Sequence, residues 1–203
     1  MTTLETDSAD YQVLSNATTA IKNVPGIVCE IGTRRGGSLK LIIDTLLDND
    51  DLDRNIIAMD PYGNIAYASS EGALVRYDYT NKMRNETFAA LYTYVQDLPV
   101  NLITMVLDDN EFFKRYADGV PFYTEVKTVI NEYALVFFDG PHDLESTFTE
   151  MNFFLPRTQT NGVWVIDDIH VFNYQLVKEW LLNNDFTLLE ETTVKASFRK
   201  GNK

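Results

Sequence analysis

The sequence has few cysteines, few histidines and a deficit of basic side chains. Its 203 residues include one cysteine and two histidines, and 17 lysines and arginines stand against 30 aspartates and glutamates. One cysteine excludes a disulfide bond within the chain, and Cys29, inside the apolar run GIVCEIG, is expected to be a buried, unreactive thiol. The formal charge of -13 repels phosphate backbones and anionic membrane surfaces, so neither nucleic acid nor a membrane is an expected partner.

Long hydrophobic runs are missing as well. No apolar run approaches the length of a membrane span, and the polar, acidic start MTTLETDSAD lacks the basic and then apolar pattern of a secretory signal. We therefore expect a soluble, cytoplasmic protein. The composition, 45% hydrophobic and 23% charged, predicts a single domain over residues 1–203. The sequence does not fix the oligomeric state, and a homo-oligomer is compatible with it.

Short apolar runs alternate with amphipathic stretches of helical length, which predicts an α/β fold with a doubly wound, mostly parallel sheet. The predicted strands are 26–31, 55–60, 102–108, 134–139, 163–167, 186–191 and 194–200. The predicted helices are near 10–23, 38–49, 83–96, 122–132, 145–154 and 172–184. Only Thr192 and Thr193 join the last two strands, which requires a C-terminal antiparallel pair. The Tyr- and Gly-rich part before residue 83 is expected to be a long loop.

A glycine turn and an aspartate follow the first two predicted strands. In EIGTRRGGS (30–38), the missing β-carbons let the backbone approach a ligand closely, and Ser38 is expected to cap the next helix. Asp60 ends the second strand 23 residues after Gly37, where doubly wound folds place an acid that binds ribose hydroxyls. Ligands of open parallel sheets bind at these strand ends. The two features together predict a nucleoside site.

The spacing of the glycines distinguishes between nucleoside cofactors. Nicotinamide dinucleotide sites carry GxGxxG, whereas this turn is GxxxGG, and its preceding glutamate suits a zwitterionic ligand better than a diphosphate. The turn resembles motif I of the class I S-adenosylmethionine-dependent methyltransferases, and the C-terminal strand pair resembles the one in their seven-stranded sheet. The resemblance implies S-adenosylmethionine as cofactor. The residues that it implies for donor binding are Glu30, Gly32, Thr33, Gly36, Gly37, Ser38, Asp60 and Asp108.

Two further segments narrow the resemblance. FFDGPHDLE and FLPRTQTNGVWVIDDIH are similar to the DGxHxYE and LxPGGxxxxDD segments of the macrocin-type sugar O-methyltransferases, and the match spans most of residues 26–170. It implies that Asp139, Asp167 and Asp168 hold Mg²⁺ beside the donor. Such an ion would lower the pKa of an acceptor hydroxyl and orient its oxygen. The resemblance therefore implies metal-dependent O-methylation of a small hydroxylated acceptor.

The two histidines are candidates for the base that deprotonates the acceptor. His142 and His170 lie three and two residues beyond the predicted ligands Asp139 and Asp168, and an imidazole titrates near neutral pH. His142 is preferred because the DGPH segment places it directly after a strand that carries a predicted metal ligand. The predicted catalytic residues are therefore His142 and Asp139.

Two other functions remain open from the sequence. Pro141 and Asn161 depart from the pattern of the macrocin-type enzymes, which is compatible with a non-catalytic binding protein on the same fold. A metal-dependent hydroxylase is the second, because the residue types of an iron facial triad occur in the same segments. Those residues are Asp139, His142, Asp168 and His170. Four tyrosines could line an acceptor pocket, although a surface loop is the favoured interpretation: Tyr62, Tyr67, Tyr77 and Tyr79.

Overall fold

The computed structural model describes residues 4–68, 74–76 and 79–202 and contains a seven-stranded sheet. The strands are β1 (Ile27–Ile31), β2 (Arg54–Met59), β3 (Ala66–Ala68), β4 (Leu74–Arg76), β5 (Val100–Met105), β6 (Val120–Tyr123), β7 (Lys127–Ile130), β8 (Tyr133–Phe138), β9 (Thr158–Ile166), β10 (Phe186–Glu191) and β11 (Ala196–Lys200). The α-helices are α1 (Tyr11–Ala20), α2 (Gly37–Asp48), α3 (Asn81–Val95), α4 (Asp109–Arg115), α5 (Leu144–Phe154) and α6 (Tyr174–Asn183). None of these helices has the length and apolar composition needed to span a membrane.

The order of strands in the large sheet is β10-β11-β9-β8-β1-β2-β5. Strands β5, β2, β1, β8 and β9 pair in parallel, whereas β11 pairs antiparallel with both β9 and β10. This confirms the predicted α/β fold with its C-terminal antiparallel pair. The chain runs outward from β1 to β2 and β5, and then returns to β8 on the other side of β1. The strand order therefore reverses between β1 and β8, and ligands of such sheets bind beside that point.

Two hydrophobic cores cover the two faces of the sheet. All five positions of β1 are buried, and successive side chains of a strand point to opposite faces. Val28 packs with the core that contains α1, α2 and α3, whereas Cys29 packs with the core that contains α5 and α6. Cys29 is fully buried and free, as predicted. Burial on both faces holds the strand ends rigidly, which is what a binding site at the sheet edge requires.

The segment near 122–132 is not a helix, so that prediction was wrong. Strands β6 and β7 form an antiparallel hairpin there, with Phe122 opposite Thr128. The apolar residues Phe122, Val126, Val129 and Ile130 have helical spacing, but Val126 and Val129 are exposed and form no buried face. The alternation of buried and less buried residues along β6 has the period of a strand.

Two further elements were not predicted. Helix α4 follows β5, and its first turn is capped by Asp108, whose side chain accepts a hydrogen bond from the backbone N–H of Glu111 (2.8 Å). The short hairpin of β3 and β4 lies within the segment that was expected to be a loop. Helix α3 begins there at Asn81, and Thr80 caps it. The main strands were predicted from continuous apolar runs. The strands of the two hairpins outside the large sheet pair residues close in sequence and lack such runs, so the same criterion did not identify them.

Candidate active site

A cleft of about 670 Å³ lies at the carboxyl ends of the parallel strands. Its walls come from the glycine turn 32–35 after β1, Asp60 after β2, residues 107–110 after β5, residues 139–143 after β8 and Asp168 after β9. These segments converge because the carboxyl ends of neighbouring parallel strands meet at one edge of the sheet. The cleft therefore brings together most of the residues that the sequence predicts for donor binding and catalysis.

Asp60 lies on the floor of the cleft in a fixed orientation. Its side chain is 3% exposed, Oδ1 accepts a hydrogen bond from the Tyr62 backbone N–H, and Oδ2 accepts one from the Arg34 backbone N–H, both at 2.9 Å. Burial raises the pKa of Asp60, and the two hydrogen bonds oppose that rise. A carboxylate has further acceptor capacity on each oxygen, so Asp60 can still accept hydrogen bonds from two neighbouring ribose hydroxyls.

The glycines of the turn make room for protein backbone. Gly32 has a φ of +92°, and a β-carbon on it would overlap the carbonyl oxygen of Asp139 at the end of the neighbouring strand. A β-carbon on Gly37 would overlap the backbone of Glu5 in the N-terminal segment. Gly36, with a φ of +74°, is the N-cap of α2. Gly32 lines the cleft, whereas Gly36 and Gly37 do not.

Glu30 supports the turn from beneath and does not line the cleft. Its side chain is fully buried, and Oε1 accepts a hydrogen bond from the Ser38 hydroxyl at 2.6 Å. Burial raises the pKa of Glu30 to about 8, opposed by hydrogen bonds from Ser38 and Thr33. Ser38 lines the cleft, but it lies inside α2 and does not cap it, so the predicted capping role was wrong. Thr33 lines the cleft as well.

We expect Glu30→Gln to change how stability depends on pH. A carboxyl whose pKa is raised in the folded state stabilises the fold fully below its ordinary pKa of 4.5, and that contribution is lost as the pH rises through about 8. At about pH 9 the Glu30→Gln variant should be more stable than the wild type by up to about 5 kcal/mol, since the pKa rises from 4.5 to about 8 and each tenfold change in proton affinity corresponds to about 1.4 kcal/mol. Thermal melts between about pH 5 and pH 9 measure it. Glu125→Gln, at an exposed position, is the control, and identical profiles for both variants would contradict the assignment.

Asp167 is engaged by a lysine that the sequence analysis missed. Both Asp167 oxygens lie within hydrogen-bond distance of the Lys195 ammonium, at 2.7 and 2.8 Å, and neither side chain has exposed surface. The pairing of β11 with β9 places Ala196 opposite Ile166, so Lys195 and Asp167 face each other one residue beyond. Burial raises the pKa of Asp167, and Lys195 opposes that rise. Asp167 does not line the cleft, whereas Asp139 and Asp168 do.

The predicted metal sites do not fit this arrangement. Among the described residues, no group of three or more histidine, cysteine, aspartate or glutamate side chains is placed to hold a metal ion. One of the three predicted Mg²⁺ ligands, Asp167, already has an ammonium on both oxygens. For the iron facial triad, His170 is exposed and lies outside the cleft lining. Magnesium binding therefore stays a prediction from the resemblance, without a matching ligand set in the described residues.

His142 and Asp168 form a pair on the wall of the cleft. His142 Nε2 lies 3.4 Å from Asp168 Oδ2, and the two side chains are 30% and 32% exposed. His142 belongs to the loop between β8 and α5, whose N-cap, Asp143, accepts a hydrogen bond from the Ser146 backbone N–H. The loop is thus anchored directly after His142. His142 lines the cleft and His170 does not, and a base that deprotonates the acceptor has to lie in the cleft.

Asp139 lies between the glycine turn, where the methyl donor is predicted to bind, and His142. Its backbone N–H donates to the Ile31 carbonyl at 3.0 Å, which fixes it beside the glycine turn. The pKa of Asp139 is raised well above its ordinary value by burial and then by the nearby carboxylates Asp167 and Glu30, whereas Lys195 lowers it. A cationic ligand in the cleft would relieve this repulsion between carboxylates.

The N-terminal segment closes one side of the cleft, which the sequence analysis did not indicate. Glu5, Asp7 and Ser8 line the cleft, and Asp7 pairs with Arg34 of the glycine turn at 2.9 Å. Basic residues in the turn opposite an acidic N-terminus are the signal that the sequence offers for this contact.

Asp108 lines the cleft in addition to capping α4.

The predicted tyrosines have different positions. Tyr62 is fully buried, and its hydroxyl donates to the Arg34 carbonyl at 2.7 Å, so it braces the glycine turn. Tyr79 lines the cleft. The side chain of Tyr67 and the whole of Tyr77 lie outside the described residues. The surface-loop interpretation is therefore wrong for Tyr62.

Comparisons with known proteins agree with the fold. Residues 29–169 match a family model described as a methyltransferase domain, and no curated protein matches the chain. Among solved structures, the chain is similar to the O-methyltransferase NovP, with 21% identity, a TM-score of 0.61, and coverage of 95% of this chain and 80% of that chain.

Two further structures have comparable similarity. Apo CalS11, a TDP-rhamnose 3'-O-methyltransferase of calicheamicin biosynthesis, has 15% identity and a TM-score of 0.63, with coverage of 95% of this chain and 79% of that one. PaMTH1 of Podospora anserina, solved with S-adenosylhomocysteine bound, has 16% identity and a TM-score of 0.57, with coverage of 97% and 80%. At these identities the structures show a shared fold, whereas the domain match covers more than half of the chain. The chain therefore belongs to the methyltransferase domain family and is a class I S-adenosylmethionine-dependent methyltransferase.

Proposed function

We propose that this protein transfers the methyl group of S-adenosylmethionine to a hydroxyl oxygen of a small acceptor. The observation that carries the proposal is that one cleft contains both Asp60, the predicted ribose-binding residue, and a histidine paired with a carboxylate, His142 with Asp168. Methyl transfer is a displacement in which the acceptor oxygen attacks the methyl carbon of a sulfonium. The protein's main contribution is to align the two reactants.

The donor side of the cleft suits a cation attached to a nucleoside. Asp60 accepts hydrogen bonds from the ribose hydroxyls, and the segment 107–110 lies beside it for the base. Asp139 and the other carboxylates of the lining attract the positive sulfonium. Transfer converts the sulfonium to a neutral thioether, which loses that attraction. The same charges therefore favour binding of the donor over its demethylated product.

On the acceptor side, His142 takes the proton of the attacking hydroxyl. With Nε2 directed at Asp168, Nδ1 is the nitrogen left to face the acceptor. The Asp168 carboxylate orients the ring and stabilises the imidazolium that forms when the proton arrives. Loss of the proton raises the electron density on the oxygen as it attacks. Asp139, at the junction of the two sides, completes the wall beside the transferred methyl group.

The acceptor class follows from the chemistry of this wall and from the similar proteins. Neutral or cationic hydroxylated molecules fit a wall that includes Asp139, Asp143 and Asp168 better than anionic ones do. The names of NovP and CalS11 describe O-methyltransferases, and that of CalS11 names a sugar nucleotide as substrate. Both names support oxygen as the atom methylated, and the CalS11 name supports a sugar hydroxyl as the acceptor group. The anionic diphosphate of a sugar nucleotide is not expected at this acidic wall, so the acceptor proposed for this chain is a sugar or polyketide-like hydroxyl on a neutral or cationic molecule.

Donor binding is the direct test of the nucleoside site. Asp60→Ala should weaken the affinity for S-adenosylmethionine about 10- to 100-fold, because ribose hydroxyls are left without a buried acceptor. Calorimetry measures it, with the exposed Asp97→Ala as the control. S-adenosylmethionine should also raise the melting temperature of the wild type, and NADH should not. Absence of donor binding to the wild type at millimolar concentration would refute the proposal.

Transfer is tested with isotopically labelled donor and a panel of hydroxylated acceptors. Label in an ether linkage to the acceptor supports O-methylation, whereas label on nitrogen or carbon contradicts it. Donor binding without transfer to any member of the panel would favour the non-catalytic binding protein. These outcomes separate the two functions that share the fold.

A further inference from the structure

We propose that the buried Lys195 ammonium is a built-in cation for the carboxylates at the ends of β8 and β9, in place of a divalent metal ion. It occupies the position beside Asp167 that the resemblance to macrocin-type enzymes gives to Mg²⁺. The consequence that methyl transfer proceeds without added metal rests on the proposed function. The assignment of the cation position does not, because it concerns metal binding alone.

The ammonium of Lys195 has a complete set of acceptors. Its three N–H groups match three oxygens: Asp167 Oδ1 at 2.7 Å, Asp167 Oδ2 at 2.8 Å and the Ser8 hydroxyl at 2.7 Å. The ring of Tyr11 covers the ammonium, with its centroid 4.4 Å from Nζ. Lys195 has no exposed surface. A charge held this way cannot swing out to admit another cation without breaking every one of these contacts.

The register of the sheet places this charge among the predicted metal ligands. Phe138 pairs with Ile166, so Asp139 and Asp167 come next to each other just beyond the strand ends. Lys195 faces Asp167 from the opposite side through the β11–β9 pairing. Two neighbouring carboxylates repel unless a cation lies between or beside them. Lys195 supplies that cation, and a divalent ion bound to the same oxygens would lie within a few ångströms of the ammonium and be repelled.

The test is metal binding by the wild type and Lys195→Met, with MnCl₂ and MgCl₂ as the probes. The wild type should bind neither ion specifically, and its melting temperature should be the same in chelator and in metal. Lys195→Met leaves the buried Asp167 without a cation, because only the Asp168 backbone N–H and the Ser8 hydroxyl still donate to its Oδ1. The variant should therefore bind Mn²⁺ at least tenfold more tightly than the wild type, and its melting temperature should rise on addition of metal. Adding Asp167→Asn to Lys195→Met should abolish that gain.

Lys200→Met is the matched control. Lys200 is a partly buried lysine in the same strand region, but it donates to the carbonyls of Leu155 and Thr158 and contacts no carboxylate of the site. If Lys195 had only a structural role, both lysine variants would lose stability and neither would gain metal binding. If Lys195 is the cation of the site, Lys195→Met gains metal binding and Lys200→Met does not.

Two results would overturn the inference: wild-type metal binding that Asp167→Asn abolishes, or a folded Lys195→Met that binds no Mn²⁺. Should Lys195→Met not fold even with Mn²⁺, Lys195→Gln is measured by the same criteria, because its amide can still donate to one Asp167 oxygen. If neither variant folds, the wild-type titration alone decides. Calorimetry with S-adenosylmethionine in chelator, on the same samples, shows separately whether the proposed function fails.

Discussion

Replacing His142 by alanine should reduce the rate of methyl transfer about 100- to 10,000-fold, the usual contribution of a general base. Donor affinity should be unchanged, because His142 and the nucleoside site at Asp60 lie on different walls of the cleft. The side chain of His142 is 30% exposed, so its removal opens no buried cavity and the fold should be retained. Single-turnover rates with saturating donor, together with calorimetry, measure the two quantities.

His170→Ala is the matched control, since His170 is the only other histidine of the chain and is exposed outside the cleft. It should retain wild-type rates, and equal losses in both variants would contradict the choice of base. Asp168→Asn keeps the shape of the partner but removes its charge, so we expect a smaller loss that appears in kcat rather than in KM. Added imidazole should partly restore His142→Ala, which a purely structural role of His142 does not predict.

The convergence of Asp60, Asp139 and Asp168 on one cleft is predictable from the sequence. Each follows an apolar run of strand length, and the carboxyl ends of parallel strands meet at one edge of a doubly wound sheet. The short joint between the last two strands likewise requires the antiparallel C-terminal pair, although it spans residues 192–195 rather than the two threonines expected from the sequence. These inferences succeed because they depend on local pattern and on general rules of chain topology.

Lys195 could not be placed in this way. The joint between β10 and β11 fixes their pairing with each other, but the pairing of β11 with β9 brings together residues about 30 positions apart, and local pattern does not select it. The fact that one ammonium, Lys195, lies beside the two neighbouring carboxylates Asp139 and Asp167 is therefore visible only in the folded structure. The same limit explains the hairpin at 120–130, where helical spacing of apolar residues is outweighed by packing of Val120 and Phe122 into the core.

The glycines illustrate a related limit. A glycine turn after a strand predicts that either a ligand or another segment of the chain comes close to its backbone, but the sequence does not say which of the two it is. Here the space at Gly32 accommodates the Asp139 carbonyl, and the space at Gly37 accommodates the N-terminal segment at Glu5. The turn is consequently a junction of three chain segments that also forms a wall of the cleft.

Gly32→Ala should lower the free energy of unfolding by at least about 4 kcal/mol, which is exceptional for the addition of a single methyl group. The new β-carbon would overlap the Asp139 carbonyl oxygen, and neither backbone segment is free to retreat. The Gly32 N–H donates to the Met59 carbonyl at 2.9 Å, and the Asp139 N–H donates to the Ile31 carbonyl at 3.0 Å. Relief of the overlap would break hydrogen bonds that join β1 to its neighbours on both sides. Urea denaturation of purified protein measures the loss.

Gly63→Ala separates this overlap from the cost of the backbone conformation. Gly63 has a φ of +76°, close to the +92° of Gly32, but a β-carbon there would have no atom of the described residues within 4 Å. It should therefore cost only the strain of a left-handed residue, about 1–2 kcal/mol. If the two variants lost equal stability, the approach of Asp139 to Gly32 would contribute nothing, and backbone conformation alone would explain the glycine. A much larger loss for Gly32→Ala, with donor binding reduced in proportion to the unfolded fraction, would show that the turn is held by the end of β8.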